Sequence, residues 1–139
     1  MSNEQLYLTI DTEKLNITTP EDFVIYLDKE IDTRFNKVCL KSIHVRINSR
    51  VKLNKNCFYV HCSILNQDDN LVNGQKSDII AIPVASLKPN RVVSFKLGNI
   101  SSRLIKKHSS SIRMYITDAA DNVIKLVPNF SIVYELEFS

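Results

Sequence analysis

The sequence predicts an all-β protein, an antiparallel β-sandwich or barrel of about eight short strands with Greek-key connections, in one domain over residues 1–139. Apolar and polar residues alternate with a period of two in segments that recur about every 8–15 residues. No 11-residue window carries a helical stripe of apolar residues. The final segment is strongly apolar, so we expect it to lie inside a sheet beside the first long strand.

Four strands are predicted in the first half of the chain. They cover residues 5–10, about 22–28, 38–47 and 57–65. In the third strand the apolar residues change phase near Lys41 and Ser42, which predicts a β-bulge there. The fourth strand has an apolar face and a polar face. The apolar face is Phe58, Val60, Cys62 and Ile64, and the polar face is Tyr59, His61 and Ser63.

The second half of the chain continues the same pattern. The predicted strands are residues 77–84, 93–97, 112–116, 123–126 and 130–138, with a short strand or turn near 103–106. Asn73-Gly74 favours a reversal before the first of them, and Pro83 suggests that this strand lies or ends at a sheet edge. Residues 118–122 are predicted to form a hairpin turn, and Phe95 and Tyr134 are predicted core residues.

Composition argues for a protein that folds without disulfides and outside a membrane. Apolar residues make up 44% of the chain, and no run approaches the length of a membrane span. The three cysteines are odd in number, which favours buried, reduced thiols. Residues 1–5 do not resemble a signal peptide, so we expect no secretion.

Charge is distributed unevenly along the chain. Residues 1–32 hold eight Asp and Glu against two Lys, and residues 118–139 hold four against Lys125. Residues 33–117 hold fifteen Lys and Arg against three Asp. This pattern favours contact between acidic and basic faces, within one subunit or between subunits. Contact with nucleic acid is the alternative interpretation, although aromatic stacking platforms are not evident.

Residues that could bind metal lack the spacing that metal sites require. The candidates are His44, His61, Cys39, Cys57 and Cys62. No C-x-x-C or H-x-x-x-H pattern is present, so we expect cysteines in the core and histidines facing outward. The candidates for a calcium site are Asp68, Asp69, Asn70 and Asp78. These residues lack the pattern of a calcium-binding loop, and a solvated loop is expected instead.

Signals for catalysis are also weak. No G-x-S-x-G motif or glycine-rich phosphate loop is present. Glu135 and Glu137 have a spacing compatible with an inverting glycosidase, but a solvated strand face explains them more simply. The cluster Lys106-Lys107-His108 could meet phosphate or an acidic partner, and a solvated loop is the favoured interpretation. We therefore predict no enzyme activity and no catalytic, cofactor-binding or metal residues.

Several segments together resemble one viral family. They are Glu21–Leu27, Val38–Ile43, Phe58–Cys62, Val72–Gly74, Ser77–Ile80, Ile82–Val84, Ser111–Asp118 and Ile132–Phe138. The pattern resembles the penton-type minor capsid proteins of polinton-like and adintovirus-like DNA viruses and transposons. That family tends to have an Asp-plus-Gly turn before its last strand, where this sequence has Asp121-Asn122.

The resemblance implies a single jelly roll with a structural role in the virion, synthesised in the host cytoplasm or nucleus. It implies a homopentamer at icosahedral vertices, in contact with a major capsid protein, with no cofactor and no membrane partner. The alternative is a jelly-roll binding module without a capsid role, for a receptor, a carbohydrate or nucleic acid. Such a module could be a domesticated viral copy.

Overall fold

The chain folds into two antiparallel β-sheets that enclose an apolar core. The computed structural model describes residues 5–27, 34–47, 59–83, 91–96, 102–106, 109–118, 120–124 and 130–139. The strands are β1 Leu6–Asp11, β2 Asp22–Tyr26, β3 Lys37–Ile47, β4 Tyr59–Cys62, β5 Leu71–Val72, β6 Gln75–Lys76, β7 Ile79–Ala81, β8 Arg91–Lys96, β9 Arg103–Leu104, β10 Ser111–Thr117 and β11 Phe130–Phe138. A 3-10 turn covers Gln67–Asp69.

The strand order is that of a jelly roll. The first sheet has the order β1-β11-β3-β8, and β9 pairs with the beginning of β3. The second sheet has the order β2-β10-β4-β7, and β5 and β6 form a separate hairpin. Consecutive strands β1 and β2 lie in different sheets, as do β3 and β4, so the fold is a sandwich and not a barrel. The last strand lies between β1 and β3, which confirms the prediction for the chain end.

The predicted bulge in the third strand is confirmed. Ser42 pairs with Glu135 and Leu40 with Leu136, so Lys41 is the extra residue in β3. Because of this extra residue, Leu40 and Ile43 face the same side of the sheet although they are three positions apart, and both are fully buried. One long strand therefore contributes apolar residues to the core on both sides of the bulge, from Val38 to Val45.

The core is formed by the inward faces of both sheets. The last strand contributes Ile132, Tyr134, Leu136 and Phe138, and β10 contributes Ile112, Met114 and Ile116, all at 0% exposure. Aromatic rings meet between the sheets, where the ring centre of Phe23 on β2 lies 6.2 Å from the ring centre of Tyr134 on β11. Burial of these apolar core side chains supplies the main driving force for folding.

The predicted turns and the predicted edge strand lie at the residues that indicated them. Asn73 and Gly74 both have positive φ, 53° and 79°, and connect β5 to β6. The strand before Pro83 is the edge strand β7 and ends at Ala81. The predicted turn at 118–122 is closed by a hydrogen bond from the Asp118 N–H to the Asn122 carbonyl.

Some sequence predictions concern residues that are not described. These are Cys57, Phe58, Lys107, His108, residues 125–129 and the side chain of Phe95. The backbone of Phe95 lies in β8, but its predicted place in the core lies outside the described side chains.

The thiol of Cys62 should react slowly with thiol reagents in the native protein. Its side chain is fully buried on the inward face of β4, as the strand phase predicted, and burial raises its pKa to about 12. Mass spectrometry that resolves each cysteine should show rapid labelling of Cys62 only after denaturant is added. Equal labelling rates in native and unfolded protein would contradict the assigned strand phase.

Tyr134→Phe should stabilise the protein. Among the described groups, the buried Tyr134 hydroxyl has no hydrogen-bond partner, so its removal should raise the free energy of unfolding by about 1 kcal/mol. Tyr7→Phe is the control, because the Tyr7 hydroxyl is exposed and bonds Gln5, and it should change stability by less than about 0.5 kcal/mol. Denaturant titrations measure both variants. A loss of stability in Tyr134→Phe would show that its hydroxyl is bonded.

Candidate functional site

A hydrogen-bonded polar network lies on the outer face of the second sheet. His61 Nδ1 lies 2.5 Å from Asp78 Oδ1, and His61 Nε2 lies 2.7 Å from Thr117 Oγ1. The Tyr115 hydroxyl donates to Asp78 Oδ2 at 2.7 Å. One carboxylate thus holds both an imidazole and a phenol, and these four side chains form a connected unit.

Strand register brings these side chains together. His61 on β4 pairs directly with Tyr115 on β10, and their rings stack at 4.2 Å with 12° between the planes. Thr117 lies two residues beyond Tyr115 and so shares its face of β10. Asp78 directly precedes β7, the strand that pairs with the other side of β4. The network therefore connects three neighbouring segments of one sheet.

An ion pair extends this arrangement to the edge strand β2. The Arg113 guanidinium lies 4.1 Å from the centre of the Tyr115 ring, and it bonds both oxygens of Asp22 at 2.8 and 2.7 Å. His61 and Arg113 thus cover both faces of the Tyr115 ring. Bidentate pairing is the strongest geometry available to an Arg–carboxylate pair, and it joins β10 to β2.

The contacts shift the pKa values of several groups. Burial raises the pKa of Asp78, but the hydrogen bonds from His61 and Tyr115 outweigh burial, so the net pKa of this carboxyl lies below its usual value. Burial and the bond to Asp78 raise the pKa of Tyr115 well above its usual value. The hydrogen bonds from Arg113 lower the pKa of Asp22. Asp78 therefore remains charged at neutral pH, where it accepts from neutral Tyr115.

A polar cleft of about 440 Å³ lies against this network. Its lining residues are Tyr59, His61, Gln67, Val72, Asn73, Gln75, Lys76, Ser77, Asp78, Ile79, Tyr115, Asp118 and Asp121. They come from β4, the β5–β6 hairpin, the approach to β7, β10 and the turn after β10. The cleft is a concave surface with a hydrogen-bonded floor, the kind of feature that binding sites use.

The order Asp78, His61, Thr117 resembles the carboxylate, imidazole and hydroxyl of a catalytic triad. Thr117 is only 2% exposed, however, and it is not among the residues that line the cleft. Its hydroxyl is therefore directed to the imidazole inside the network and not toward the cleft. This geometry makes the three groups a brace between strands.

The expectation that histidines face outward is confirmed for His61, and the expectation that Glu137 is solvated was wrong. His61 points away from the core as predicted, but it is only 6% exposed, because Tyr115, Asp78 and Thr117 surround it. Glu137 was expected on a solvated face, yet it is buried and lies 3.3 Å from Lys41, the bulge residue. Glu135 is exposed, as expected.

The expected solvated loop from Asp68 to Asp78 is only partly solvated. Asp68 and Asp69 are exposed, but Asn70 is buried. Its side-chain amide donates to the carbonyls of Ser77 and Ile79, and so ties the two ends of the hairpin together. The interpretation of Asn70 and Asp78 as solvated was therefore wrong, because Asn70 bonds across the hairpin and Asp78 bonds His61 of β4 and Tyr115 of β10.

The other candidate ligands remain apart in the fold. His44 lies on β3 with Nδ1 at 2.7 Å from the Ser94 hydroxyl, and Cys39 is buried on the same strand. Among the described residues, no three His, Cys, Asp or Glu side chains are grouped so that they could hold a metal ion. The same part of the chain contains no helix long and apolar enough to cross a membrane.

Comparison with known proteins identifies the architecture. No protein-family model matches the sequence, and no curated protein matches it. Among solved structures, the crystal structure of the selenomethionine-labelled mavirus penton protein superposes with a TM-score of 0.67 at 9% sequence identity. The match covers 98% of this chain and 99% of that chain. The fold is that of a penton-type single jelly roll. At this identity, the likeness is one of fold.

Asp78→Asn should destabilise the protein in a pH-dependent way. The variant loses the charge that accepts from His61 and Tyr115, and we expect a loss on the order of 2 kcal/mol at pH 7. Because the pKa of Asp78 is lowered in the folded state, its stabilisation is present above the unfolded pKa, about 4, and is lost as the pH falls through the folded value. Denaturant titrations at pH 7 and near pH 3 measure the difference.

Asp22→Asn is the matched control for this experiment. The Asp22–Arg113 pair is far more exposed, so its removal should cost about 1 kcal/mol or less. Equal losses for Asp22→Asn and Asp78→Asn at pH 7 would show that the buried network adds nothing beyond an exposed ion pair.

Proposed function

We propose that this protein is a structural capsid protein, a penton-like minor subunit that assembles into a ring at icosahedral vertices and contacts a major capsid protein in the virion. The observation that carries the proposal is the penton-type jelly roll, matched over nearly the full length of both chains. No catalytic step is part of this role. The subunit would act through the complementarity of its surfaces.

One flank of the sandwich is acidic with exposed apolar side chains. The edge strands β1 and β2 lie there, joined by the connection at residues 12–21. Residues 5–27 carry four carboxylates against Lys14. The exposed apolar side chains of this flank are Leu6, Tyr7, Leu15, Val24 and Tyr26, of which Tyr26 is 83% exposed. An exposed apolar group with a charged surround is the usual composition of a protein interface.

The opposite edge of the first sheet is basic. Its strands β8 and β9 belong to residues 91–106, which contain Arg91, Lys96, Arg103 and Lys106 and no carboxylate. Leu104 of β9 and Ile82 after β7 are exposed on this side. Both flanks thus combine apolar groups with charge, and the two flanks carry opposite signs.

Opposite flanks favour head-to-tail contact between copies. Such contacts are heterologous, and they close into a ring when the rotation between neighbours permits. Pairing of like flanks is disfavoured by like charge. Exposed ion pairs contribute only about 0–1 kcal/mol each and are screened by salt, so the apolar groups supply most of the affinity and charge sets the orientation.

The purified protein should form a closed homo-oligomer, pentameric by its resemblance to pentons, whose assembly slows as salt rises. Light scattering and native mass spectrometry would follow the mass against protein concentration at low and high salt. A strict monomer up to high micromolar concentration would make assembly dependent on a partner protein. If that monomer also bound single-stranded DNA with a steep salt dependence, the result would support nucleic-acid binding in place of the capsid role.

Tyr26→Ala should weaken this assembly without unfolding the subunit, because the side chain lies on the β2 flank and is largely exposed. Leu71→Ala is the matched control, since Leu71 is 63% exposed on the β5–β6 hairpin, which is not one of the strands that form the two flanks. We expect about a tenfold shift in the concentration for assembly with Tyr26→Ala and little change with Leu71→Ala. Equal shifts would place the contact elsewhere.

A further inference from the structure

We propose that the polar cleft on the second sheet is a binding site for a primary ammonium group, carried by a lysine side chain of another polypeptide or by a free polyamine. The site is distinct from the flanks that the capsid role uses. Its test does not depend on ring formation. The proposal rests on the construction of the cleft, its charge and the arrangement of its acceptors.

The floor of the cleft is fixed before any ligand arrives. Asp78 is held by His61 and Tyr115, and His61 is held in turn by Thr117. Side chains in such a network lose little freedom on binding, so less affinity is lost to ordering. The walls come from two separate elements, the β5–β6 hairpin on one side and the turn at residues 118–122 on the other.

The cleft is acidic. Asp78, Asp118 and Asp121 are among its lining residues, and Oδ1 of Asp118 already accepts from the N–H groups of Ala120 and Asn122. Lys76 is the one Lys or Arg among the described lining residues, and its Nζ already lies 2.9 Å from Asp68. A concave surface lined by one sign of charge concentrates ions of the other sign. An anionic ligand is therefore disfavoured and a cation favoured.

The acceptors suit an ammonium better than a guanidinium. Each oxygen of Asp78 already accepts one hydrogen bond, so the flat fork of an arginine would have to reach the one remaining lone-pair site of both oxygens at once. A carboxylate has about four lone-pair sites, so further acceptance from another direction remains open. An ammonium has three donors that can turn toward different walls, and the lining includes Asp121, Asn73 and Gln75, residue types whose side chains carry oxygen acceptors.

The same geometry disfavours a sugar ring. Sugars commonly stack on an exposed aromatic face, and both faces of Tyr115 are occupied, by His61 and by Arg113, which leaves the partly buried Tyr59 as the other tyrosine ring among the described lining residues. Val72 and Ile79 are the only aliphatic side chains among the described lining residues, which also disfavours a large apolar ligand. An alkyl chain that ends in an ammonium needs little apolar surface.

The test uses the full chain labelled with nitrogen-15. Four ligands are titrated in turn. They are spermidine, the capped peptide acetyl-Gly-Lys-Gly-amide, the same peptide with its lysine acetylated, and methyl glucoside. Amide signals of Ser77–Ile79 and Ala120–Asn122 report on the cleft. We expect saturable shifts at these amides with the two charged ligands and none with the acetylated peptide, which lacks the ammonium.

Two variants then distinguish binding in the cleft from nonspecific attraction of cations to exposed carboxylates. Asp121→Asn removes one lining charge, and asparagine tolerates the positive φ of 63° at this position. Asp69→Asn removes the same charge from the exposed 3-10 turn, outside the cleft lining. Loss of one charge-assisted bond should weaken ligand binding about tenfold in Asp121→Asn and less than about twofold in Asp69→Asn.

Each result decides the proposal. Tighter binding of spermidine assigns the site to a free polyamine, and tighter binding of the peptide assigns it to a lysine of a partner; both support the site. Equal weakening by the two variants would show only a diffuse counter-ion effect and would overturn it. Shifts with methyl glucoside but not with the amines would overturn the ligand class, and so would absence of shifts with every ligand.

Discussion

The insertion of the last strand between the first and the third is the constraint on which the rest of the structure depends. β11 pairs with β1 on one side and β3 on the other, and it places Ile132, Tyr134, Leu136 and Phe138 in the centre of the core. The first sheet is therefore incomplete until the C-terminal segment arrives. Pairing over such sequence separations is entropically costly and makes folding of this topology slow.

The register of that insertion also determines the second sheet. Tyr134 meets Phe23 across the core, so the position of β11 fixes where β2 can pack. β10 then lies between β2 and β4. On its inward face β10 buries Ile112, Met114 and Ile116, and on its outward face it presents the Arg113, Tyr115 and Thr117 row. One strand thus supports the core and the polar network at once, because its side chains alternate between the two faces.

The two surfaces of interest arise from different levels of the structure. The charged, apolar flanks follow from which strands lie at the sheet edges, and the likeness to a penton protein supports their use in assembly. The acidic cleft lies between a hairpin inserted between β4 and β7 and the outer face of the second sheet. A ring contact and a ligand site could therefore act in the same subunit without competing for side chains.

The alternation of apolar and polar residues predicted the strands, and its change of phase predicted the bulge at Lys41. The Asn73-Gly74 pair predicted its turn, and the strongly apolar final segment predicted the inner position of the last strand. Each of these signals lies in residues that are neighbours in sequence. The burial of His61, Asn70 and Glu137 was decided only by the tertiary structure. His61, Asp78 and Thr117 are separated by 17 and 56 positions where they bond, so no local pattern contains them. Only the pairing of β4, β7 and β10 brings these polar side chains together, and long-range register is what a single sequence specifies least directly.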